Sequence, residues 1–314
     1  MQTLRVKLLR DVASYLRRNC DFSYREDAVT STAYPVDLAF TLEREDLYYR
    51  PKDADGLPVR IYLSAGRQYN PTRIAAYALA HYNRYLDHED EADKATFFRA
   101  AEWFMRSPDG RWRYEFDWGE LKAPWVSAMA QGEGVSVLVR AWYLSGEDRY
   151  LEQALRALEP FTQPANEGGV LSFLESGDPF LEEYPTPRPV HVLNGFLYAV
   201  IGLADLERIA GQVLPKGLRA SDWLGVLTKH LNGWNLGFWS AYDLAVGRYG
   251  LRNPATVSYH RLHIAQLRFL GEWGSSDVLI AVARQWQAYL KSTVNRVRAL
   301  ALKISFRSLH KVPR

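Results

Sequence analysis

Two adjacent carboxylates and a phenol stand in one proline-rich segment of this sequence. The segment occupies residues 182–187, reads EEYPTP and comes shortly before a long apolar run. Proline fixes its own φ angle and lacks an amide donor, so the pattern predicts a stiff loop and not the interior of a helix. Rigidly held acid and phenol groups such as Glu183 and Tyr184 are suited to proton transfer, because that chemistry requires fixed geometry.

Length and composition are those of an ordinary globular protein with many aromatic residues. The chain has 314 residues, of which 47% are hydrophobic and 24% are charged. This size allows one large domain or two modest ones. Aromatic residues make up 13% of the chain, with 10 Trp and 19 Tyr. Such rings either fill a core or stack on flat ligands and sugar rings.

Cysteine content and the N-terminal segment favour a cytoplasmic protein. Cys20 is the single cysteine, so no internal disulfide can form. Residues 1–18 carry five basic residues among scattered leucines, which predicts an N-terminal helix within residues 1–30 and not a signal peptide. The longest apolar run, residues 192–204, is interrupted by Asn194 and is shorter than the ~20 residues that cross a bilayer.

The C-terminal segment 291–314 contains seven basic residues and no acidic residue, although the net charge of the chain is only +3. Its interleaved apolar residues predict a basic amphipathic helix. That helix either packs on the domain with a solvated basic face or docks on anionic lipid or a partner helix. The sequence lacks zinc-finger, phosphate-loop and dinucleotide patterns, so we expect no nucleic-acid partner.

Turn and strand signals precede a long helical region. Residues 31–70 contain short β-branched and aromatic runs on both sides of a turn at 51–58, which predicts a β-hairpin region. Over residues 71–290, candidate helices alternate between covered and amphipathic character. Four such alternations, about 55 to 70 residues apart, favour an α/α toroid with inner and outer rings, and an irregular helical domain is the alternative. The helices are expected to begin near Thr72, Ala92, Pro124, Asp148, Pro189, Pro215, Ser258 and Ser276.

Polar residues that could bind or transform a ligand cluster where the covered helices begin. The clusters lie at residues 66–71, 118–133, 182–189 and 242–263. His260 and His263 share one helical face, but no third metal ligand is evident. A hydrogen-bonded structural pair therefore explains them better than a metal site, and no metal is expected there.

At these clusters the sequence resembles the D-glucuronyl C5-epimerases. Residues 122–132, KAPWVSAMAQG, are similar to the family block PPWLSAMAQG. Residues 182–186 and 192–203 resemble the signature loop and helix of the same family. The segments YDL at 242–244 and YHRLHI at 259–264 resemble two further blocks. The resemblance covers about residues 66 to 270 in order and is far more specific than one short motif.

The resemblance implies a mainly α fold, an incomplete α/α barrel (toroid), here with a small N-terminal β-hairpin region. It also implies conversion of D-glucuronate into L-iduronate within heparosan or heparan sulfate polysaccharides. Animal members carry a longer β-rich N-terminal region. One family block has an Arg three residues after its Tyr-Asp-Leu tyrosine, whereas this chain has Ala245 there and Arg248 further on, so carboxylate binding by that Arg does not carry over directly.

Inversion at C5 removes a weakly acidic proton from one face of the ring and returns a proton to the other face. It requires two opposed acid/base groups and stabilisation of the charge that develops on the carboxylate. By resemblance, Glu183 and Tyr259 are the opposed pair, and Tyr184 and Tyr242 are further essential phenols. A basic Tyr needs nearby positive charge, for which the candidates are Arg67, His260, Arg261 and His263. Candidates for sugar contacts are Tyr69, Asn70, Trp125, Gln131 and Asn194.

This reaction needs no cofactor, because it contains no redox step. Calcium in the hairpin region is suggested by analogy with the family. Asp53 and Asp55 could serve as its ligands, and they are equally good turn residues.

Two other functions fit the same residues. A uronate polysaccharide lyase begins with the same proton abstraction and then loses the substituent at C4. A non-catalytic glycan-binding protein would keep the fold without turnover. A cytoplasmic enzyme would meet its glycan in lipid-linked or growing form at the inner membrane face, where the basic segment 291–314 would support peripheral contact, and a homodimer stays open as an assembly.

Overall fold

The computed structural model describes Tyr15 and residues 22–247 and 250–309. Most of the expected N-terminal helix, together with Cys20, Arg248 and the last five residues of the basic segment, lies outside the described residues. Within them the chain is mainly helical, with four small pairs of strands. None of the described helices is both long enough and apolar enough to cross a bilayer.

The α-helices, which we number along the described residues, are nine long ones and three short ones. Their bounds are α1 Ala39–Glu43, α2 Glu45–Tyr48, α3 Pro71–His88, α4 Glu91–Met105, α5 Ala128–Ser145, α6 Asp148–Arg156, α7 Glu159–Thr162, α8 Leu193–Arg208, α9 Ala220–His230, α10 Val257–Trp273, α11 Asp277–Lys291 and α12 Thr293–Leu309. The predicted starting points of the eight helices between residues 71 and 290 are confirmed to within five residues. Periodicity and local capping signals suffice to place helices of this length.

All four described strand pairs are antiparallel. They are β1 Ser23–Tyr24 with β2 Val36–Asp37, β3 Arg60–Tyr62 with β4 Gly66–Gln68, β5 Leu171–Phe173 with β6 Pro179–Leu181, and β7 Ala241–Val246 with β8 Arg252–Pro254. A hairpin therefore lies in the predicted region, but it is formed by β3 and β4, with Ile61 opposite Arg67.

The aromatic run at residues 47–49, which comes before the turn and was expected to form a strand of the hairpin, is not a strand. Residues 47 and 48 belong to α2 and Tyr49 is its C-cap. The first turn of this helix carries Glu45 and Asp46, and acidic residues at that position favour a helix. The ring of Tyr48 packs edge-on against Phe40 of α1, and the ring of Tyr49 packs against Tyr77 of α3. Tertiary aromatic contacts thus override a local preference for strand.

Four long helices form the inner row of the fold and four others cover it. The inner helices α3, α5, α8 and α10 pack side by side in that order, and α4, α6, α9 and α11 each pack on one of them. The approach of α5 and α8 is close because Gly132 faces the partner backbone, where a Cβ would lie 2.5 Å from Ala199 Cα. The covered and amphipathic helices of the sequence correspond to these two groups.

The segment before the first long helix links the two ends of the inner row. Strand β1 packs on α10, and α1 packs on α3. At residues 31–33 the same segment lies over the C-terminal halves of α5 and α8, where buried Arg140 donates to the carbonyl oxygens of Thr32 at 2.9 Å and Ala33 at 3.1 Å. Arg140 and Arg208 both pair with buried Asp205, at 2.5 and 2.7 Å. Burial opposes ionisation of Asp205, but the two guanidinium groups outweigh it and hold its pKa below the usual range.

Candidate active site

The proline-rich loop is anchored by the first of its two glutamates. Glu182 is fully buried after β6, and its carboxylate accepts from Ser172 Oγ at 2.7 Å and from the His191 amide at 3.2 Å. Its backbone carbonyl also accepts from the amide of Ala128 at the start of α5. These bonds tie the loop to the N-terminal ends of α5 and α8, which fixes where the next residue points.

Glu183 lies against the first turn of α8. Its side chain is only 6% exposed, and Asn194 Nδ2 stands 3.4 Å from Glu183 Oε2. The neighbouring position must be glycine, because a Cβ on Gly195 would lie 2.4 Å from Glu183 Cβ. The carboxyl group is therefore held in contact with a helix N-terminus, where the partial positive charge of the backbone favours an anion.

The proton affinity of Glu183 is unusually high for a carboxyl group. Burial is the main cause, and the charges of Glu182 and Asp243 add to it. Hydrogen bonds from Tyr184 and Asn194 act in the opposite direction, and the balance raises the pKa of Glu183 to about 7. A group with this pKa can both accept and donate a proton near neutral pH.

Tyr259 stands in the first turn of α10, beside Tyr242 of β7. The Thr256 side chain caps this helix by accepting from the Tyr259 amide at 3.3 Å. The Tyr259 side chain is 36% exposed, and its ring meets the ring of Tyr242 edge-on with centroids 5.0 Å apart. The phenol is thus reachable from solvent at the positive end of a helix.

The four side chains that resemblance marks as catalytic share one environment. The pKa of Tyr184 is raised well above its usual value, mainly by burial and next by the charges of Glu183 and Tyr259. The pKa of Tyr242 is also raised well above its usual value, mainly by burial and next by the charges of Glu183, Tyr184 and Tyr259. Mutual influence of this size requires proximity. Tyr184 and Tyr242 are therefore neutral hydrogen-bond donors at neutral pH, and the catalytic roles of all four residues stay predictions.

Aromatic rings extend from this cluster along one side. Trp125 stacks on Tyr114, with centroids 4.1 Å apart and planes 7° from parallel, and lies 6.1 Å from the Tyr184 ring. Phe116 and Tyr62 continue the series toward the β3–β4 hairpin. Trp125 is mostly buried and donates its indole N–H to the Phe116 carbonyl. The wall joins the hairpin to the cluster and presents apolar faces of the kind that stack on sugars.

The three hairpin candidates lie at the far end of this wall. Asn70 donates to the Tyr62 hydroxyl at 2.8 Å and caps α3 with its Oδ1. Arg67 and Tyr69 are exposed, and they bond to the 51–58 turn: Arg67 to the Lys52 carbonyl, and Tyr69 to Asp53 at 2.6 Å. The structure therefore brings Asn70 to the edge of the wall, but it does not bring Arg67 or Tyr69 into contact with the cluster around Glu183.

In the turn at residues 51–58, where calcium was suggested, the carboxylates of Asp53 and Asp55 contact nearby protein groups. Asp53 accepts from the Leu57 amide at 2.7 Å as well as from Tyr69, and Asp55 stands 3.3 Å from Arg106. Over the described ranges, no three His, Cys, Asp or Glu side chains group in a way that could hold a metal ion. Calcium in the hairpin region stays a prediction.

Gln131 and the two histidines are buried framework residues. Gln131 makes its hydrogen bonds with the backbone at Gly110, Trp112 and Ala157. His260 and His263 are fully buried, and each places Nδ1 within 2.9 Å of Ser240 Oγ.

Burial lowers the pKa of His260 to about 3, and it also lowers the pKa of His263 well below its usual value. These neutral imidazoles do not supply the positive charge that was expected of them, because an enclosed apolar site disfavours the imidazolium. Instead they hold α10 against α11, where His260 Nε2 lies 3.0 Å from the Trp286 carbonyl. Arg261, on the same helix, is partly exposed, and its role stays a prediction.

Two buried charged residues near the cluster were not predicted. Glu133 on α5 is almost fully buried, and burial, followed by the charge of Glu183, raises its pKa well above the usual value. Lys303 on α12 is 6% exposed and bonds to Asn253 of β8. The sequence contains a feature that could have indicated the burial of each residue. Glu133 interrupts an otherwise apolar, covered helix, and Lys303 shares one helical face with Ala299 and Phe306.

Comparison with known proteins identifies the family. A family model for the C-terminus of D-glucuronyl C5-epimerase matches residues 106–288. The D-glucuronyl C5-epimerase of Caenorhabditis elegans is 31% identical over an alignment of 225 residues, and the match covers 63% of this chain and 35% of that protein. An uncharacterised protein of Methanocaldococcus jannaschii is 26% identical over 181 residues, 56% of each chain. The chain thus spans between about a third and about half of the length of these relatives.

Solved structures with partial similarity include a polysaccharide lyase and an unsaturated glucuronyl hydrolase of Bacillus sp. GL1. The lyase is 13% identical with a TM-score of 0.46, covering 78% of this chain and 74% of its own. The hydrolase is 16% identical with a TM-score of 0.43, covering 86% and 65%. The family model covers more than half of this chain and includes the segments that carry Glu183, Tyr242 and Tyr259, so the chain belongs to the D-glucuronyl C5-epimerase C-terminal family.

Proposed function

We propose that this chain inverts C5 of D-glucuronate to give L-iduronate in a heparosan-like or other uronate-containing glycan, and so acts as an isomerase. Membership of the family supports the reaction class. The observation that carries the proposal is the grouping of a buried carboxyl, whose pKa is about 7, with three tyrosines at the N-terminal ends of the inner helices.

The proposed architecture is an incomplete α/α barrel with the glycan at one end. Side-by-side packing of the four inner helices, each covered by an outer helix, supports this arrangement. The segment at residues 22–48, which packs on both α3 and α10, would occupy the gap in the ring. Loops at the start of the inner helices would then surround the substrate, as is usual for sites built on helical frameworks.

In the direction in which Glu183 acts as base, its carboxylate removes the C5 proton. The C5–H electron pair forms a C5=C6 bond, and negative charge moves to the two carboxyl oxygens. Tyr259 then donates its hydroxyl proton to C5 from the opposite face, which leaves a phenolate on Tyr259 and a proton on Glu183. Proton exchange with solvent restores both groups, and the 36% exposure of Tyr259 supports that step.

Stabilisation of the enolate-like intermediate is assigned to neutral donors. Tyr184 and Tyr242 keep their protons at neutral pH and can hydrogen-bond to the charged oxygens. The first turns of α5, α8 and α10 add backbone dipoles that favour negative charge at the same place. In many enzymes, preorganised hydrogen-bond donors in a low-dielectric site make the largest single contribution to the rate enhancement.

Contacts with the rest of the glycan are assigned to the aromatic wall and the hairpin. Trp125 would stack on a pyranose ring next to the reacting unit, and Asn194 would hold the Glu183 carboxyl in place. Arg67, Tyr69 and Asn70 lie further along and would meet a more distant unit of an extended chain. An apolar ring face with a few polar groups at its edge is the common pattern of sugar recognition.

The test is incubation with desulfated heparosan oligosaccharide in heavy water, followed by NMR. The proposal predicts deuterium at C5 together with iduronate signals. Glu183→Gln and Tyr259→Phe should lower the rate by about a thousandfold while the fold is retained, since a positioned acid or base contributes about 10²- to 10⁴-fold. Tyr143→Phe, at an exposed tyrosine on α5, is the matched control and should keep full activity.

Two other outcomes would replace the proposal. A product with ultraviolet absorption of an unsaturated uronate would establish a lyase. Glycan binding without C5 exchange, unchanged in Glu183→Gln and Tyr259→Phe, would establish a non-catalytic binding protein.

The cytoplasmic location, the contact with the inner membrane face and the homodimer are proposals that go beyond the site. For membrane contact, the supporting feature is the outer side of α12, where Val294 and Val297 are 68% and 56% exposed beside Arg298. Val294→Ser with Val297→Ser should reduce sedimentation with anionic vesicles. Equal sedimentation of this variant and the unmodified chain would remove the proposal.

A further inference from the structure

The C-terminal helix contributes a buried cation close to the candidate active site. Lys303 lies on the inner face of α12 with only 6% of its side chain exposed. Its Nζ donates to Asn253 Oδ1 at 2.7 Å and to the Pro254 carbonyl at 2.8 Å, both in β8. Burying an ammonium group is costly unless it is hydrogen-bonded and close to negative charge, so this arrangement requires an explanation.

The hydrogen bonds continue from Lys303 to the strand of the site. Asn253 Nδ2 donates to Asp243 Oδ2 at 2.7 Å, and Asp243 follows Tyr242 in β7. Lys303 Nζ also lies 5.9 Å from the centre of the Tyr242 ring, and that ring packs on Tyr259. A continuous series of contacts therefore joins α12 to two of the proposed catalytic phenols.

Several groups act on the charge of Asp243. Burial raises its pKa to about 6, whereas the Asn253 hydrogen bond, the Lys303 charge, the Ala245 amide and Arg252 lower it. Asp243 in turn helps to raise the pKa of Glu183 and that of its chain neighbour Tyr242. The charges of Tyr184 and Tyr259 also act on Tyr242, and Tyr184 and Tyr242 are both neutral near pH 7. Loss of one cation would thus change the charge of two coupled carboxyl groups.

We propose that α12 is a working part of the active site, in which Lys303, through Asn253, keeps Asp243 ionised and positions the strand that carries Tyr242. This inference rests on the proposed function for its catalytic consequence. Lys303 and Asp243 are positioning residues, because they act through Tyr242 and Glu183. The helix lies beyond residues 106–288, the segment that the family model matches.

The first test measures the charge of Asp243 without reference to turnover. Carbonyl ¹³C NMR of aspartate-labelled protein, with Asp243→Asn for assignment, would follow its titration. In Lys303→Met the midpoint should rise by about one pH unit or more, the usual effect of losing an opposite charge at close range. Lys291→Met removes an exposed lysine at the end of α11 and should leave the midpoint unchanged.

The second test measures turnover as a function of pH. Lys303→Met should lower kcat by about tenfold or more through misplacement of Tyr242, with Lys303→Arg recovering part of it. In Asp243→Asn and in Lys303→Met the acid limb of kcat/KM should move to lower pH, because a neutral residue 243 no longer raises the pKa of Glu183. If the lost Lys303 charge acted directly on Glu183 and not through Asp243, the acid limb would move to higher pH instead, and that result would contradict the inference.

The outcomes separate this inference from the proposed function. If Lys303→Met matches Lys291→Met in the Asp243 titration, or if its pH profile keeps the unmodified shape and activity falls only with the folded fraction measured by thermal unfolding, the inference is overturned. If the unmodified chain never labels C5 of any uronate, the proposed function fails, and the Asp243 titration still decides whether α12 sets that charge.

Discussion

Buried acidic side chains have different surroundings at the two ends of the inner helices. Near the N-terminal ends, Glu133 and Glu183 are buried and their pKa values are raised. Among the described residues, neither has a hydrogen bond to a cationic side chain. Toward the C-terminal ends, Asp205 is buried between Arg140 and Arg208, and its pKa is lowered. The same fold thus holds protonatable acids at one end and a fixed ion network at the other.

The difference shows how one framework separates chemistry from stability. An acid without a partner has its proton affinity moved toward neutral pH by burial, which is useful for catalysis and costly for folding. An acid with two guanidinium partners keeps its charge to lower pH than usual. Here one of those partners, Arg140, also fixes the backbone of the segment that carries Thr32 and Ala33. Substitutions at the two ends should therefore separate in their effects.

The largest expected effect on stability is at the ion network. Asp205→Ala leaves Arg140 and Arg208 buried without their anion, and breaking such a pair costs about 3 to 5 kcal/mol. Urea unfolding followed by circular dichroism would measure the loss. Glu183→Gln is the counterpart at the other end and should unfold at the same or higher urea concentration; destabilisation by equal amounts would contradict the contrast between the two ends.

The pH dependence of stability should differ between the ends as well. The pKa of Glu183 is about 7 in the folded protein, against 4.5 for a glutamate in an unfolded chain, so the folded state binds this proton more tightly. The contribution of Glu183 to the free energy of unfolding is therefore largest below pH 4.5. It falls by roughly 3 kcal/mol in total as the pH rises from about 4.5 to 7.

Thermal unfolding from pH 4.5 to 7.5 would show that decline in the unmodified chain and a smaller one in Glu183→Gln. The lowered pKa of Asp205 gives the opposite sign, with stability lost only as pH falls below its unfolded value. Parallel curves for the two proteins would mean that Glu183 is not the group responsible.

A smaller effect, confined to activity, is expected from the close contact behind Glu183. Gly195→Ala would place a Cβ within 2.4 Å of Glu183 Cβ and push the carboxyl away from the substrate. A misplacement of this kind costs about a hundredfold in rate, visible as C5 exchange in heavy water.

Gly225→Ala, on α9 with open space at the Cβ position, is the matched control. It should keep full activity and gain slightly in stability, because alanine favours a helix more than glycine does. Equal activity in the two variants would show that Gly195 does not position Glu183.

Local pattern was sufficient for the helices and for the blocks of the family. The side chains of Asn70 and Thr256 cap the starts of α3 and α10, and both residue types favour that position. The resemblance to the C5-epimerases is confirmed by the family match, and it pointed to Glu183 in the loop before α8 and to Tyr259 in the first turn of α10. Helix position and capping depend on neighbours within a few residues, so one sequence is enough to find them.

Function of a polar side chain could not be predicted in the same way. His260 and His263 looked like candidates for positive charge and are fully buried and neutral, while Lys303 looked like part of a solvated basic face and turns inward to Asn253. In each case the deciding contact comes from residues more than 20 positions away, such as Trp286 for His260, and no local pattern encodes it.

The sequence by itself therefore determined the helices, their covered or amphipathic character and the family. Only the tertiary structure decided which acids are left without a cation, which histidines are neutral and which lysine reaches the site. The physical reason is that helix formation is set by short-range backbone and side-chain terms, whereas charge state depends on burial and on partners brought together by the whole fold.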